Sequence, residues 1–231
     1  MTHFNAENLQ KTWPNFTLNF SCHIEKGTML GIVGHSGSGK STVLRLISGL
    51  ISPESKNCSI ILNNNDITHL HPSKRNIGMV FQTPCLFNHM NVVDNVAYGL
   101  VSRGIPKKRA RSQASTFLQN FELAGFENRW PDSLSGGEAQ RVSLARTLIV
   151  EPDLVLFDEP FSALDAPLRK KLAHDIKKLQ KTLGFTGIMV THDIHEAQTL
   201  CDIVTVMQKG TQIWTDSAKE YTEDKLGIIT G

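Results

Sequence analysis

The sequence predicts an α/β fold: a sheet with helices on both faces, an antiparallel β subdomain and a helical insertion. Three stretches carry that expectation. Met29 to Val33 is a short apolar run, Gly34 to Thr42 (GHSGSGKST) is glycine-rich, and Val43, Leu44, Leu46, Ile47 and Leu50 follow at helical spacing, which together read as strand, loop and helix. Phe16 to Ile24 alternates apolar and polar residues without a break, the pattern of a half-buried antiparallel strand. Leu154 to Phe157 is apolar throughout and ends in Asp158 and Glu159, which reads as a buried parallel strand delivering two carboxylates to the sheet edge.

A chain of 231 residues has room for one such domain, residues 1–231. Within it, residues 1–82 and 152–231 are expected to form the core with the β subdomain, and residues 83–151 the helical insertion. Lys and Arg total 24 against 22 Asp and Glu, a net charge of +2, so no nucleic-acid partner is expected. Cys22, Cys58, Cys85 and Cys201 are scattered without C-x-x-C pairing and read as reduced thiols. No basic run leads into an apolar leader and no stretch approaches 18 apolar residues, so the chain is expected to be neither secreted nor membrane-spanning.

The glycine-rich run has the residue types of a phosphate-binding loop. Gly34, Gly37 and Gly39 allow consecutive N–H groups to converge on phosphate oxygens at a helix start. Lys40 would then lie against the β- and γ-phosphates, and the Ser41 hydroxyl would ligate Mg²⁺. The motif alone does not name an enzyme, because kinases, GTPases, helicases and transport ATPases share it.

Trp13, just before the alternating strand, reads either as an adenine-stacking aromatic or as a lid on the sheet. Ser59 to Leu62 and Ile77 to Phe81 read as strands, with Asn63 to Asn65 as a turn. Gln82 is placed at the carboxyl end of a central strand, where it could reach Mg²⁺ or an attacking water, or stand as an ordinary surface residue. Helical spacing then takes over, in Val92, Val93, Val96, Ala97 and Leu100, and again in Phe117, Leu118, Phe121 and Leu123. The basic run Pro106 to Arg111 reads either as a solvated helix start or as a basic face that helps dock a partner. In Leu134 to Glu138 (LSGGE), Ser135 and Glu138 have capping-box spacing, and the same geometry can make an anion site at a helix N-terminus. Asp158 would hold Mg²⁺ and Glu159 polarise water. Asp165 and Pro167 open an amphipathic helix that stops at Gly184, and Ile188 to Val190 is a strand ending at Thr191 and His192. His192, Asp193, His195 and Glu196 match no usual zinc spacing. Ile203 to Met207, with a turn at Lys209 and Gly210, supplies late strands.

Taken in order, the phosphate loop, Gln82, LSGGE, LVLFDEP, SALD and THD resemble the ATPase subunit of an ATP-binding-cassette transporter over nearly the whole chain. The resemblance implies a head-to-tail homodimer holding two ATP molecules. By it, Gly34, His35, Ser36, Gly37, Ser38, Gly39, Lys40, Ser41 and Thr42 cradle the phosphates, and Trp13 stacks on adenine. Ser135, Gly136 and Gly137 would face the γ-phosphate bound by the partner, and Asp165 would contact the partner. Asp158 matches the Mg²⁺-associated carboxylate, Glu159 the general base, His192 the γ-phosphate switch, and Gln82 the residue that senses Mg²⁺, water and the membrane partner. Glu138 departs from the commoner LSGGQ, and an Asn triplet stands where a turn usually carries glycine.

The stretches Phe81 to Leu100 and Pro160 to Arg169 look like bacterial importers for thiamine, iron(III), polyamines and molybdate. Asn128 to Ser133 lack the glutamate- and glycine-rich segment of many exporters. The resemblance therefore implies an importer ATPase at the cytoplasmic face of the cell membrane, working with membrane-spanning permease subunits and a solute-binding protein. The end of the chain soon after its last strands puts thiamine first among the cargoes. An exporter ATPase and a non-transport ATPase or ATP-dependent binding module are the alternatives.

Overall fold

The computed structural model describes residues 2–55, 57–162, 164–222 and 225. The chain begins with β1 (Thr2–Trp13) and β2 (Phe16–Glu25), an antiparallel hairpin, followed by β3 (Met29–Val33) and α1 (Lys40–Ser48). β4 (Ser59–Leu62), β5 (Asn65–Asp66) and β6 (Ile77–Val80) precede three helices, α2 (Val92–Ser102), α3 (Lys107–Leu118) and α4 (Gly136–Leu148). β7 (Leu154–Asp158), α5 (Ala166–Leu183), β8 (Gly187–Thr191), α6 (Ile194–Leu200), β9 (Ile203–Gln208) and β10 (Thr211–Ser217) complete the order.

Among the described residues two sheets result, one of four strands in the order β2-β1-β4-β5 and one of six in the order β10-β9-β3-β8-β7-β6. In the larger sheet β9, β3, β8, β7 and β6 are mutually parallel and β10 returns antiparallel. Its inner strands β3, β7 and β8 are buried almost throughout and nearly all apolar, because both of their faces are covered, whereas β10 at the edge is largely polar. Leu30, Ile32, Leu154, Leu156, Ile188 and Val190 pack with α1 and the four-stranded sheet. Met29, Val33, Val155, Phe157 and Met189 point the other way, into a core shared with α2 to α6.

The alternation in β2 is realised, with Leu18, Phe20 and Ile24 buried. Asn63 and Asn64 take φ values of 51° and 63° in the β4–β5 turn, a conformation that asparagine tolerates. Two expectations change. β6 is an edge strand of the six, so Gln82 follows an edge strand and not a central one. Helical spacing from Phe117 to Leu123 breaks at Leu118, after which a short 3₁₀ turn spans Gln119–Phe121 and Glu122 turns left-handed at φ 57°.

α2, α3 and α4 pack on one another through Val93, Val96, Ala97, Ala110, Ala114, Leu118, Leu144 and Leu148. Asn91 caps α2, and Arg111 reaches Asp94 at 2.6 Å, partly neutralising the basic start of α3. Among the described residues no helix is long and apolar enough to cross a membrane.

Candidate nucleotide site

Strand register brings the sequence motifs to one edge of the larger sheet. Val33 is level with Thr191, Asp158 with Val190, and Val80 with Phe157, all in parallel pairs. The residues that leave the sheet there are Gly34 after β3, His192 after β8, Glu159 after β7 and Gln82 after β6. This is the carboxyl edge, where open α/β sheets hold their ligands.

The loop 34–39 leads into α1 through Gly39, whose φ of 101° is left-handed. A Cβ at Gly39 would stand 2.6 Å from Leu18 Cδ1 and 2.9 Å from Phe16 Cζ, so a side chain there would have to push the tips of both hairpin side chains aside as well as strain the backbone. No side chain caps α1, which leaves its first N–H groups open to a ligand. Lys40 folds back over the loop, donating to the carbonyls of Gly34 at 2.8 Å and His35 at 3.0 Å. Burial lowers its pKa from the ordinary lysine value, while the nearby Glu159 and Asp158 charges oppose that shift. Ser38 is buried and its carbonyl accepts from Gly210 N, which braces the loop from the β9–β10 turn.

Beside the loop lies a cleft of about 320 Å³ lined by Trp13, Ser36, Gly37, Lys40, Thr42 and Glu159, with Phe16, Gly39 and Ser41 completing the wall. Trp13 is 38% exposed and tilts against Phe16 with ring centroids 5.8 Å apart. Ser41 Oγ donates to Asp158 Oδ1 at 2.8 Å. His192 Nδ1 lies 3.3 Å from Glu159 Oε2. Glu159 has φ 45°, an unusual conformation for a non-glycine residue, and its N–H is held by the carbonyl of Val190 at 3.1 Å.

Five predicted residues stand elsewhere on the chain. Gln82 is exposed and does not line the cleft, although it leaves β6 two residues past Val80 just as Glu159 leaves β7 two past Phe157. Ser135, Gly136 and Gly137 begin α4 and lie outside the cleft. There the capping box is complete: Glu138 Oε2 accepts from Ser135 N at 2.8 Å, and Ser135 Oγ from Glu138 N at 3.4 Å. Gly137 is buried, and a Cβ on it would meet Leu168 Cδ2 at 2.9 Å, so this glycine lets α4 approach α5. Asp165 caps α5, accepting from Leu168 N at 2.9 Å, and is likewise outside the cleft.

Sequence reasoning missed the residues that anchor these loops. Arg75 is buried and donates to the carbonyls of Leu46, Ile47, Thr68 and Leu70, which closes the end of α1 opposite the phosphate loop. Asn95 is fully buried, accepting from Phe87 N and donating to the carbonyls of Phe87, Met90 and Asn91. Gln140 and Arg146, both on α4, hold the carbonyls of Phe81 and of Pro84 and Cys85. A polar residue inside an apolar helical pattern was the available signal for Asn95, and Arg75 left none.

Fold and loop together define a protein of the phosphate-loop class, built on a mostly parallel sheet with its glycine loop at the carboxyl edge. Residues 17–162 match the family model described as ABC transporter, and the chain belongs to that family. Membership implies ATP binding. The Fe(3+) ions import ATP-binding protein FbpC of Agrobacterium fabrum is 44% identical over 219 residues, 94% of this chain and 62% of that protein. The protein of the same name from Pasteurella multocida is 45% identical over 202 residues, 87% of this chain and 57% of its own length. The chain thus spans roughly three fifths of the length of these curated relatives. Among solved structures, cbiO1 from Clostridium perfringens, part of the ABC transporter complex cbiONQ, superposes with TM-score 0.86 at 28% identity, covering 98% of this chain and 93% of that one. MJ1267, an ATP-binding cassette of an ABC transporter in its ADP conformation, also gives 0.86, at 24% identity over 100% of this chain and 97% of that chain, and shows the shared fold.

Proposed function

We propose that this chain is the Mg²⁺-dependent ATP-hydrolysing subunit of an importer that drives uptake of a small solute through separate membrane-spanning subunits. The observation that carries the reading is the joining of an uncapped phosphate loop to the Asp158–Glu159 strand end by the Ser41–Asp158 hydrogen bond, with His192 against Glu159. In this reading the α1 N–H groups and Lys40 bind the phosphates, and Trp13 stacks on the adenine.

The oxygen pair of Ser41 and Asp158 suits Mg²⁺, a hard cation that prefers oxygen ligands. Gln82, two residues beyond the neighbouring strand, joins them in the proposal. When bound, the ion neutralises charge on the phosphate oxygens. Glu159 Oε2 takes the proton of the attacking water, and His192, 3.3 Å from that oxygen, orients the carboxylate and donates towards the γ-phosphate.

Ser135, Gly136, Gly137 and Asp165 lie away from the cleft of their own chain, which supports a head-to-tail homodimer in which each protomer completes its partner's site. The helical segment 83–151 acts as one subdomain against the core formed by 1–82 and 152–231. The membrane-spanning partner docks in a groove near Gln82 to Asn91 and the following helical insertion, beside which Phe81 and Tyr98 are exposed and Phe87 packs on Tyr98 at 4.8 Å. In this reading the chain works at the cytoplasmic face of the cell membrane, with a solute-binding protein on the far side. The Fe(3+) import names of the curated relatives support iron(III) as cargo ahead of thiamine. Co-purification with the membrane and binding subunits, followed by ATP-dependent uptake of labelled iron(III) and thiamine into vesicles, tests the reading. Uptake of iron(III) is expected, and ATP-driven efflux would overturn the direction.

A further inference from the structure

The segment around His192 is held by a network that the proposed chemistry does not use, and one side chain ties it to the segment after Glu159. Arg169 stands on the first turn of α5. Its Nη1 lies 3.3 Å from Asp193 Oδ2, its Nη2 donates to the carbonyl of Leu164 at 3.1 Å, and its Nε is 3.7 Å from Glu196 Oε1. Leu164 immediately precedes Asp165, and Asp193 immediately follows His192.

The far side of the network closes on the residue before His192. Glu196 is buried, and its Oε2 accepts from Thr191 Oγ1 at 2.5 Å. The same Thr191 oxygen accepts from Asp193 N at 3.0 Å, and Asp193 Oδ1 caps α6 by accepting from Glu196 N at 3.1 Å. His192 is thus flanked by two residues that are both locked, while its own ring is 59% exposed and makes its contact with Glu159. A ring so exposed is not held in place by packing, so its position is set by the backbone on either side.

We propose that Arg169, acting with Glu196, is a positioning residue for hydrolysis. It fixes the backbone on both sides of His192, sets the ring against Glu159, and joins this unit to the Leu164–Asp165 segment. The inference rests on the ATPase reading above and extends it to residues that do not line the cleft. An arginine suits the task because its planar guanidinium presents separate donors in fixed directions, Nη1 to a carboxylate and Nη2 to a carbonyl, whereas a lysine offers one compact ammonium on a flexible stem.

The test is steady-state ATP hydrolysis by the full chain carrying Arg169→Gln, His192→Ala or both, with Arg169→Lys and Glu196→Gln alongside. Arg169→Gln is expected to lower kcat about tenfold with KM for ATP within about twofold, and Arg169→Lys to recover only part of the loss. In the His192→Ala background the Arg169→Gln change should cost no more than about twofold, because a residue that acts through His192 has nothing left to position. A full tenfold loss in that background, a KM that rises in step with the fall in kcat, or an unchanged kcat in Arg169→Gln would overturn the proposal. If Arg169→Gln does not fold, the shape-conserving Glu196→Gln carries the same prediction and the same disproof. Wild-type chain that hydrolyses no ATP would instead remove the enzymatic reading, and this inference with it.

Discussion

Ser41 Oγ donates to Asp158 Oδ1 at 2.8 Å, so the first turn of α1 is joined to the last residue of β7 across 117 positions of sequence. The bond fixes the mouth of the phosphate loop relative to Glu159, the next residue in the chain. Asp158→Asn keeps an acceptor for Ser41 but removes the charge that a divalent cation needs. ATP affinity measured with Mg²⁺ is expected to fall by about tenfold or more, while affinity in the presence of a chelator stays near wild type. An equal loss under both conditions would assign the residue to the fold alone.

The separation of LSGGE from the loop of its own chain predicts composite sites. Lys40→Ala and Ser135→Arg chains are each expected to be inactive as homodimers. Mixed dimers should recover activity, because one of the two sites then has both Lys40 and Ser135 intact. A mixture as inactive as either parent would show that the sites are not shared between protomers.

Arg75 predicts a stability effect remote from chemistry. Its guanidinium satisfies four carbonyls, two of them at the end of α1. Arg75→Ala should cost about 3 kcal/mol in urea unfolding, since buried carbonyls lose a charged donor. The exposed pair Lys171–Glu122, at 3.4 Å, is the control, and Lys171→Ala should change stability by about 0.5 kcal/mol or less.

Burial pushes the Glu196 carboxyl up from the ordinary value of 4.5, and the Thr191 hydroxyl and Arg169 hold it back. A carboxyl raised in the folded state binds its proton more tightly there than in the unfolded chain. Its contribution is therefore fully present below about 4.5, the unfolded value, and is lost as pH rises through the raised folded value. Glu196→Gln does not titrate, so the difference in Tm, wild type minus variant, should fall as pH is raised from 4 towards neutrality, roughly the span of a perturbed carboxylate. A difference that stays flat or grows with pH contradicts the shift.

Strands whose apolar pattern is local were legible in the sequence, and those shaped by irregular pairing were not. β2, β3, β7 and β8 follow simple period-two or all-apolar patterns, whereas β1 buries Phe4, Ala6 and Leu9, a spacing of two and then three. The break lies at a register shift between Ala6 and Leu9, where Asn8 takes φ 52°, so the side-chain phase reverses within one strand. Gln82 was recognised as a strand-end residue, but its placement on an edge strand depends on sheet order, which no local spacing encodes. Of the site, the loop and the residues ending β7 and β8 were readable because each follows an apolar strand. Arg75, Asn95 and Arg169 act through carbonyls or side chains brought near by the tertiary fold, and their identity alone does not announce it.

The central claim is that Glu159 is the base for hydrolysis in a site that binds ATP without it. It is tested most directly by measuring ATP binding and single-turnover hydrolysis side by side for wild type and Glu159→Gln. Binding should be retained and hydrolysis slowed by roughly 10²- to 10³-fold, with the ATP-bound variant accumulating as a dimer. Hydrolysis by Glu159→Gln at the wild-type rate would contradict the account.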